Sequence, residues 1–343
     1  MEPLSTYAML GIMRQLQPFS SFFLDMFFPR MYTFSTEEIM FDKIVRDVTL
    51  APFVSPVIEG KVRKKEGGKL AHFKPAYVKP KDIVLPEMLL QRRPGEPLGG
   101  NLSPEQRRLA VVAQLLDEQN KQIVHREEWM AAKILTTGKV VVEGDQYEKQ
   151  EVDYGRHVKN TITVAGKAKW DALDKESRKP IDDLEDWSEL CTGVCDTVIM
   201  GRKAWRAFVA FDSVQTLLDT RRGSLSNAET GPSQVRTAQF KGVVGSLKIY
   251  VYNGKYKDEL RQDQDYMPAG GVLLGNSSYN GIRAYGAILD AEAAAQGVVE
   301  ASRYPKNWFN RDPGVEYLMT QSAPLPIIPD PDAFVYSQVV DNA

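Results

Sequence analysis

Cysteine is almost missing from this sequence: 343 residues contain two, Cys191 and Cys195. Two thiols build no disulfide framework, so the chain reads as one that folds in a reducing compartment. Histidine is nearly as scarce, and His72, His125 and His157 lie too far apart in sequence to suggest a His-rich metal site. Neither sign of charge is in excess: 43 Lys and Arg stand against 45 Asp and Glu, a net charge of −2. No global field therefore draws nucleic acid or anionic lipid. No stretch approaches the roughly 18 apolar residues that cross a bilayer. The apolar patch Ala8–Met13 is short, follows an acidic start at Glu2 and stops at Arg14, unlike a secretory signal. These absences argue against a secreted scaffold, a membrane protein and a basic DNA-binding module. What is present, 43% hydrophobic and 26% charged residues, suits a soluble folded chain of about two domains.

Aromatic residues crowd one early segment. Phe19, Phe22, Phe23, Phe27, Phe28, Tyr32, Phe34 and Phe41 fall between residues 19 and 41, with Pro18 and Pro29 limiting any helix. Such a segment is either the packed start of a core or an arm that docks on another element or subunit. Beyond it, residues 57–65 and 70–73 read as two extended runs joined at Gly67-Gly68, a β-hairpin whose turn tolerates positive φ. Its flanks are polar on both faces and its cations cluster at Arg63, Lys64, Lys65 and Lys69. A lone hairpin is marginal in water, so this one is expected to lean on a neighbour.

The clearest helix spans 103–138. Ser103 caps it, Pro104 suits its first turn, Gln106 completes a capping box and Gly138 ends it. Leu109, Val112, Leu116, Ile123, Met130 and Ile134 form its apolar stripe, thinned by Gln119, Asn120 and Glu127. Asp117, Glu118, Lys121, Arg126, Glu127 and Glu128 read as a solvated flank. Residues 139–142, 146–154 and 160–164 read as an antiparallel meander. A helix from Pro180 to about Val194 then opens a second α/β unit, with strands at 197–200, 243–253 and 271–274 and helices near 203–210 and 213–219. A last strand is expected near 333–340.

Chemistry is thinly represented. Cys191 and Cys195 could share a helix face, but zinc wants about four ligands, so they read as small apolar groups. The run Gly270-Gly271-Val272-Leu273-Leu274-Gly275-Asn276 lacks the lysine of a P-loop and reads as a strand ended by turns. Asp182, Asp183, Glu185 and Asp186 suit a helix N-terminus. Arg221-Arg222 reads as a basic turn or a subunit salt bridge.

The order of these elements resembles the HK97-like fold of tailed-phage capsid proteins. Seven motifs narrow the resemblance to the major capsid proteins of lambda-like tailed phages. They are Phe27-Phe28; Tyr77-Val78-Lys79-Pro80-Lys81; Val152-Asp153-Tyr154-Gly155-Arg156; Leu218-Asp219-Thr220-Arg221-Arg222-Gly223-Ser224; Val272-Leu273-Leu274-Gly275-Asn276; Ser302-Arg303-Tyr304-Pro305-Lys306-Asn307-Trp308; and Gln321-Ser322-Ala323-Pro324-Leu325. None carries chemistry, and their weight lies in their order along residues 20–340.

The resemblance implies an α+β subunit with an N-terminal arm (1–50), an extended hairpin loop (51–100), a spine-helix peripheral domain (101–180), an axial α/β domain (181–300) and a return to the peripheral domain (301–343). It implies a structural protein without catalysis or cofactor, which assembles through pentamers and hexamers into a head shell around the genome. Scaffolding, portal and decoration proteins and packaged double-stranded DNA would be its partners, with no membrane, in the virion and in host cytoplasm during assembly. An encapsulin-like compartment shell holding cargo protein is the alternative. Candidate intersubunit contacts are Phe27, Phe28, Arg63, Lys64, Lys65, Gly67, Gly68, Lys69, Arg221 and Arg222. The type member of the fold cross-links a Lys to an Asn with help from a Glu. No local signature marks such an Asn here, so no isopeptide chemistry is expected.

Overall fold

The computed structural model describes residues 3–16, 21–43, 69–90, 103–144, 147–172, 179–216, 237–258, 260–312 and 314–342. The N-terminal third holds α1 (Thr6–Gln15), α2 (Phe22–Phe27), β1 (Arg30–Thr33), β2 (Ile39–Lys43), β3 (Lys69–Phe73), β4 (Lys81–Val84) and α3 (Pro86–Leu90). The spine α4 (Pro104–Thr137) leads into β5 (Lys139–Gly144), β6 (Tyr147–Asp153) and β7 (Thr161–Thr163). Then come α5 (Pro180–Leu190), β8 (Thr197–Met200), α6 (Arg202–Val209), β9 (Ala238–Val244), β10 (Leu247–Tyr252), β11 (Lys255–Lys257) and β12 (Asp263–Asp265). The chain closes with β13 (Gly271–Gly275), β14 (Ile282–Tyr285), α7 (Ala291–Gln296), β15 (Tyr304–Asn310), β16 (Val315–Gln321), β17 (Pro324–Ile327) and β18 (Val335–Gln338).

Local signals place α4. The Gln106 backbone N–H donates to Ser103 Oγ at 3.2 Å, and the Ser103 N–H donates to Gln106 Oε1 at 2.9 Å. At the far end Gly138 takes φ 73°, and a Cβ there would meet Arg156 Cβ at 2.8 Å, so glycine is required twice over. The resulting rod of 34 residues is about 50 Å long.

Six strands in the order β7-β18-β13-β8-β10-β9 form one sheet. Its strands alternate faces, as pleating dictates. Ile199 and Leu273 point into the core shared with α2 and the C-terminal half of α4. Val198, Met200, Val272 and Leu274 point into a second core beneath α5 and α6. The N-terminal half of α4 packs through Val112 and Leu116 on Met9 of α1, Val84 of β4 and Leu318 of β16. Beside it lie the sheets β15-β16-β4 and β1-β14-β17.

Several expectations change. β5 and β6 pair with each other, but β7 pairs in parallel with β18, so there is no three-stranded meander. The interval 243–253 is not one strand but the end of β9, a turn at Gly245 with φ 62°, and β10. Helix α5 ends at Leu190, where the Thr192 N–H leaves to donate to Asp332 O at 2.8 Å. β3 pairs with β2 in the register Lys43↔Lys69 to Ile39↔Phe73, and the other expected arm, 57–65, lies outside the described residues. β7 and β18 join β13, β8, β10 and β9 in one sheet, although the expected domain division falls between them. Strand pattern identifies strands, and partner choice depends on which edges the tertiary fold brings together.

The helical part of the aromatic segment is core, whereas Tyr32 further along it is exposed. Phe23, Leu24, Phe27 and Phe28 are all fully buried within their own subunit. Phe23 meets Tyr252 edge-on at 4.9 Å, and Phe27 meets Phe334 at 5.1 Å. The side chains of Phe27 and Phe28, both expected as intersubunit contacts, are thus enclosed by their own subunit.

Val112 and Leu116 are fully buried while Leu109, in the same sequence stripe, is 40% exposed. Val112→Asp or Leu116→Asp should cost about 4 kcal/mol or more by burying an unpaired charge, enough to abolish soluble expression. Leu109→Asp should stay within about 0.5 kcal/mol of wild type. Soluble yield and thermal melts of the three variants check this.

Candidate assembly surface

What the subunit can offer a neighbour depends first on what anchors its own segments, and most anchors lie on α4. Arg108 is buried and donates twice to Glu316, Nε to Oε2 at 2.9 Å and Nη2 to Oε1 at 2.7 Å. Gln119, also buried, donates to Asp82 Oδ2 at 2.7 Å and to Leu318 O at 3.1 Å, and accepts from Thr320 Oγ1 at 2.6 Å. Glu127 pairs with Arg303 at 2.9 Å. Arg303 also donates to Asn120 Oδ1 and to Ser322 Oγ, both at 3.1 Å. Glu128 accepts from the N–H groups of Phe23 and Leu24 at 2.8 and 3.0 Å, and from the Tyr252 hydroxyl at 2.9 Å. It thus satisfies orphan donors in the first turn of α2 and ties that turn to the six-stranded sheet. At the C-terminal end, Arg156 Nη2 donates to Ile134 O and Leu135 O at 3.0 and 2.8 Å.

Glu127 and Glu128 were expected on the solvated flank, and Gln119 was expected to mark a surface. All three are buried. Periodicity could have found this: Gln119, Ile123, Glu127, Met130 and Ile134 continue one face at three- and four-residue steps. The motifs Val152–Arg156 and Ser302–Trp308 likewise turn out to be anchors. Tyr154 is buried and donates to Pro326 O at 2.5 Å.

The β2–β3 ladder is rooted at its inner end and open at the other. Ile39 is fully buried, and Phe73 stacks on Tyr154 at 6.3 Å. The Ala287 N–H donates to Thr36 O at 3.0 Å beside an ion pair between Lys74 and Glu37. The ladder's last pair is Lys43↔Lys69, and the chain between these residues contains Arg63, Lys64, Lys65, Gly67 and Gly68. Those five, the Lys69 side chain, Arg221 and Arg222 lie outside the described residues. Two surfaces lie in plain view. One is the edge strand β1, where Met31 and Tyr32 are 55% and 51% exposed. The other is an open groove of about 670 Å³ between residues 76–80, α4 and β5, lined by Tyr77, Lys79, Arg126, Trp129 and Val142. Among the described residues no group of three or more His, Cys, Asp or Glu could hold a metal ion, and no helix is long and apolar enough to cross a membrane.

Burial lifts the Glu128 carboxyl from 4.5 to about 7, against the three donors that favour its ionised form. The folded value lies above the unfolded one. Folded protein therefore keeps a proton that the unfolded chain releases between these values, and the stability this adds is complete below the lower and gone above the higher. Glu128→Gln removes this titration. From about pH 5 to about pH 8 wild type should lose stability relative to the variant, on the order of 1.4 kcal/mol per unit of the shift. Parallel melting curves across that range would overturn the assignment.

Comparison with known proteins now gives these anchors a context. Residues 5–339 match the family described as phage major capsid protein E. The chain is 41% identical over 337 residues to the major capsid protein of Enterobacteria phage P21, covering 98% of each chain. It is 36% identical over 337 residues to that of Escherichia phage lambda, again covering 98% of each. A crystal structure described as a prophage capsid protein from E. coli CFT073 superposes with a TM-score of 0.80 at 33% identity, covering 99% of this chain and 100% of the other. The match runs through nearly the whole chain, and the chain belongs to the phage major capsid protein E family.

Proposed function

We propose that this chain is the major capsid protein of a lambda-like tailed phage, whose copies close through pentamers and hexamers into the icosahedral head shell around the genome. The observation that carries the reading is the full-length match to relatives named major capsid protein, at 36–41% identity. The subunit is a structural component of the virion and has no catalytic step to perform. Portal, scaffolding and decoration proteins are its partners, and it assembles in host cytoplasm. Packaged double-stranded DNA touches it without sequence preference, in keeping with a net charge of −2 that leaves no strong attraction to hold the genome.

The chain between Lys43 and Lys69 is the part that reaches a neighbour. The ladder supports this, because Ile39 and Phe73 anchor one end of it and the connecting chain leaves from the other, at the pair Lys43↔Lys69. Arg63, Lys64, Lys65 and Lys69 then meet acidic or backbone acceptors on the adjacent subunit. Each exposed pair is worth only about 0–1 kcal/mol, but a shell repeats it in every copy.

Electron microscopy of purified protein should show closed shells or capsomer rings containing no cargo enzyme. A stable monomer at high concentration would refute the assembly reading. Lys64→Glu with Lys65→Glu should leave subunit melting unchanged and lower shell yield, the defect shrinking as salt screens charges beyond roughly 8–10 Å. Normal assembly at low and moderate salt would remove these lysines from the interface.

A further inference from the structure

We propose that Asn253 is a self-modifying residue: the backbone nitrogen of Gly254 attacks its side-chain amide, closes a succinimide and turns the asparagine into aspartate or isoaspartate. The reaction asks three things of an asparagine. The next residue must be small enough to let the side chain fold back, its N–H must be free, and the amide must not be held in place by donors.

Three asparagines among the described residues precede Gly or Ser: Asn253-Gly254, Asn276-Ser277 and Asn280-Gly281. The fold separates them. Asn276 is held twice, because its Oδ1 accepts from the Ser278 N–H at 2.8 Å and the Ser277 N–H donates to Asp196 Oδ1 at 2.7 Å. At Asn280 the attacking nitrogen is engaged, the Gly281 N–H donating to Phe27 O at 2.9 Å. A Cβ on Gly281 would lie 2.5 Å from that same oxygen, so this glycine serves close packing. A nitrogen committed to a carbonyl must give up that bond before it can attack.

At Asn253 neither restraint is present. Its turn joins β10 to β11, and two bonds hold the main chain there: the Asn253 N–H donates to Thr237 O at 2.8 Å, and Gly254 O accepts from the Tyr266 N–H at 3.0 Å. The Gly254 N–H makes no hydrogen bond among the described residues. Asn253 Oδ1 is buried and has no hydrogen-bond partner either. Buried polar groups of a folded chain are nearly always paired. Here a donor and an acceptor are left unpaired on adjoining residues, and they are the two groups that ring closure uses. Gly254 has no Cβ to hinder the approach, and Asn253 is half-buried, so water reaches the turn.

Hydroxide takes the Gly254 amide proton, the nitrogen bonds to Asn253 Cγ, and the Cγ–Nδ2 bond breaks as ammonia leaves with a proton from water. Water then opens the ring at one of its two carbonyls, giving aspartate or, with the main chain rerouted through Cγ, isoaspartate. One water is consumed, one ammonia is released, and nothing is oxidised or reduced. The new negative charge falls in a turn that offers Oδ1 no donor.

The test uses unassembled full-length protein, so that a failure of shell formation does not touch it. After incubation at mildly alkaline pH and physiological temperature, the protein is digested with trypsin and read by mass spectrometry. The peptide Ile249–Lys255 should grow heavier by one mass unit and split into aspartate and isoaspartate forms, several-fold faster than Asn280 changes in its own peptide. In denaturant the rates at Asn253 and Asn280 should converge, because each is then a plain Asn-Gly pair. Asn253→Gln should leave its peptide unchanged over the same interval, since the longer side chain closes a ring far more slowly. Asn280 reacting as fast as Asn253 in the folded protein, or Asn253 staying intact while the denatured chain reacts, would overturn the proposal.

Discussion

A helix of 34 residues cannot be buried along its length without burying the polar groups its sequence carries, and α4 carries Arg108, Gln119, Glu127 and Glu128 on its inward side. Each must find a partner, because an unpaired buried charge is strongly destabilising. The partners come from four places: Glu316 on β16, Asp82 on β4, Arg303 ahead of β15, and the first turn of α2 with Tyr252 of β10. Replacing such pairs by well-packed apolar residues is often neutral or stabilising. Their contribution here is register. A one-turn slip of α4 would strand four buried polar groups at once, so the elements docked on the spine have one permitted alignment.

The same anchoring fixes the segments at the edge of the subunit. The first turn of α2, held by Glu128, leads into the exposed edge strand β1, whose Met31 and Tyr32 stand outside the core. The β2–β3 ladder is pinned at Ile39, which is fully buried, and at Phe73, which stacks on Tyr154. The polar groups of the spine thereby set where these segments leave the body of the subunit.

The parts of this arrangement that were legible were local. Ser103, Gln106 and Gly138 bound α4 because capping depends on residues three or four apart, and those are visible in any sequence. The glycines around β13 read correctly as strand and turns. Gly270 and Gly275 are glycine because a Cβ would strike Val340 O at 1.9 Å and the Phe334 ring at 2.5 Å. Phe27-Phe28 was legible as a resemblance, but its meaning was not. Eight aromatics in one segment imply burial without saying against what, and both a core and an intersubunit arm satisfy that demand. Glu127 and Glu128 misled for the same reason, since a glutamate looks solvated until its partner is in place.

Sequence by itself determined the spine and its ends, the β8 and β13 strands, the absence of a disulfide framework and, through seven ordered motifs, the family. Those features rest on short-range geometry or on patterns that survive without knowing any contact. Only the tertiary structure decided that β7 and β18 complete the six-stranded sheet, that β3 answers β2, and that Phe23, Phe27 and Phe28 belong to the core of their own subunit. It alone brought Glu128 to the first turn of α2 and Arg303 to Glu127. Each of these depends on residues from separate elements meeting in space. Hydrophobic period and capping chemistry say what a segment will be, and only the packed fold says what it will touch.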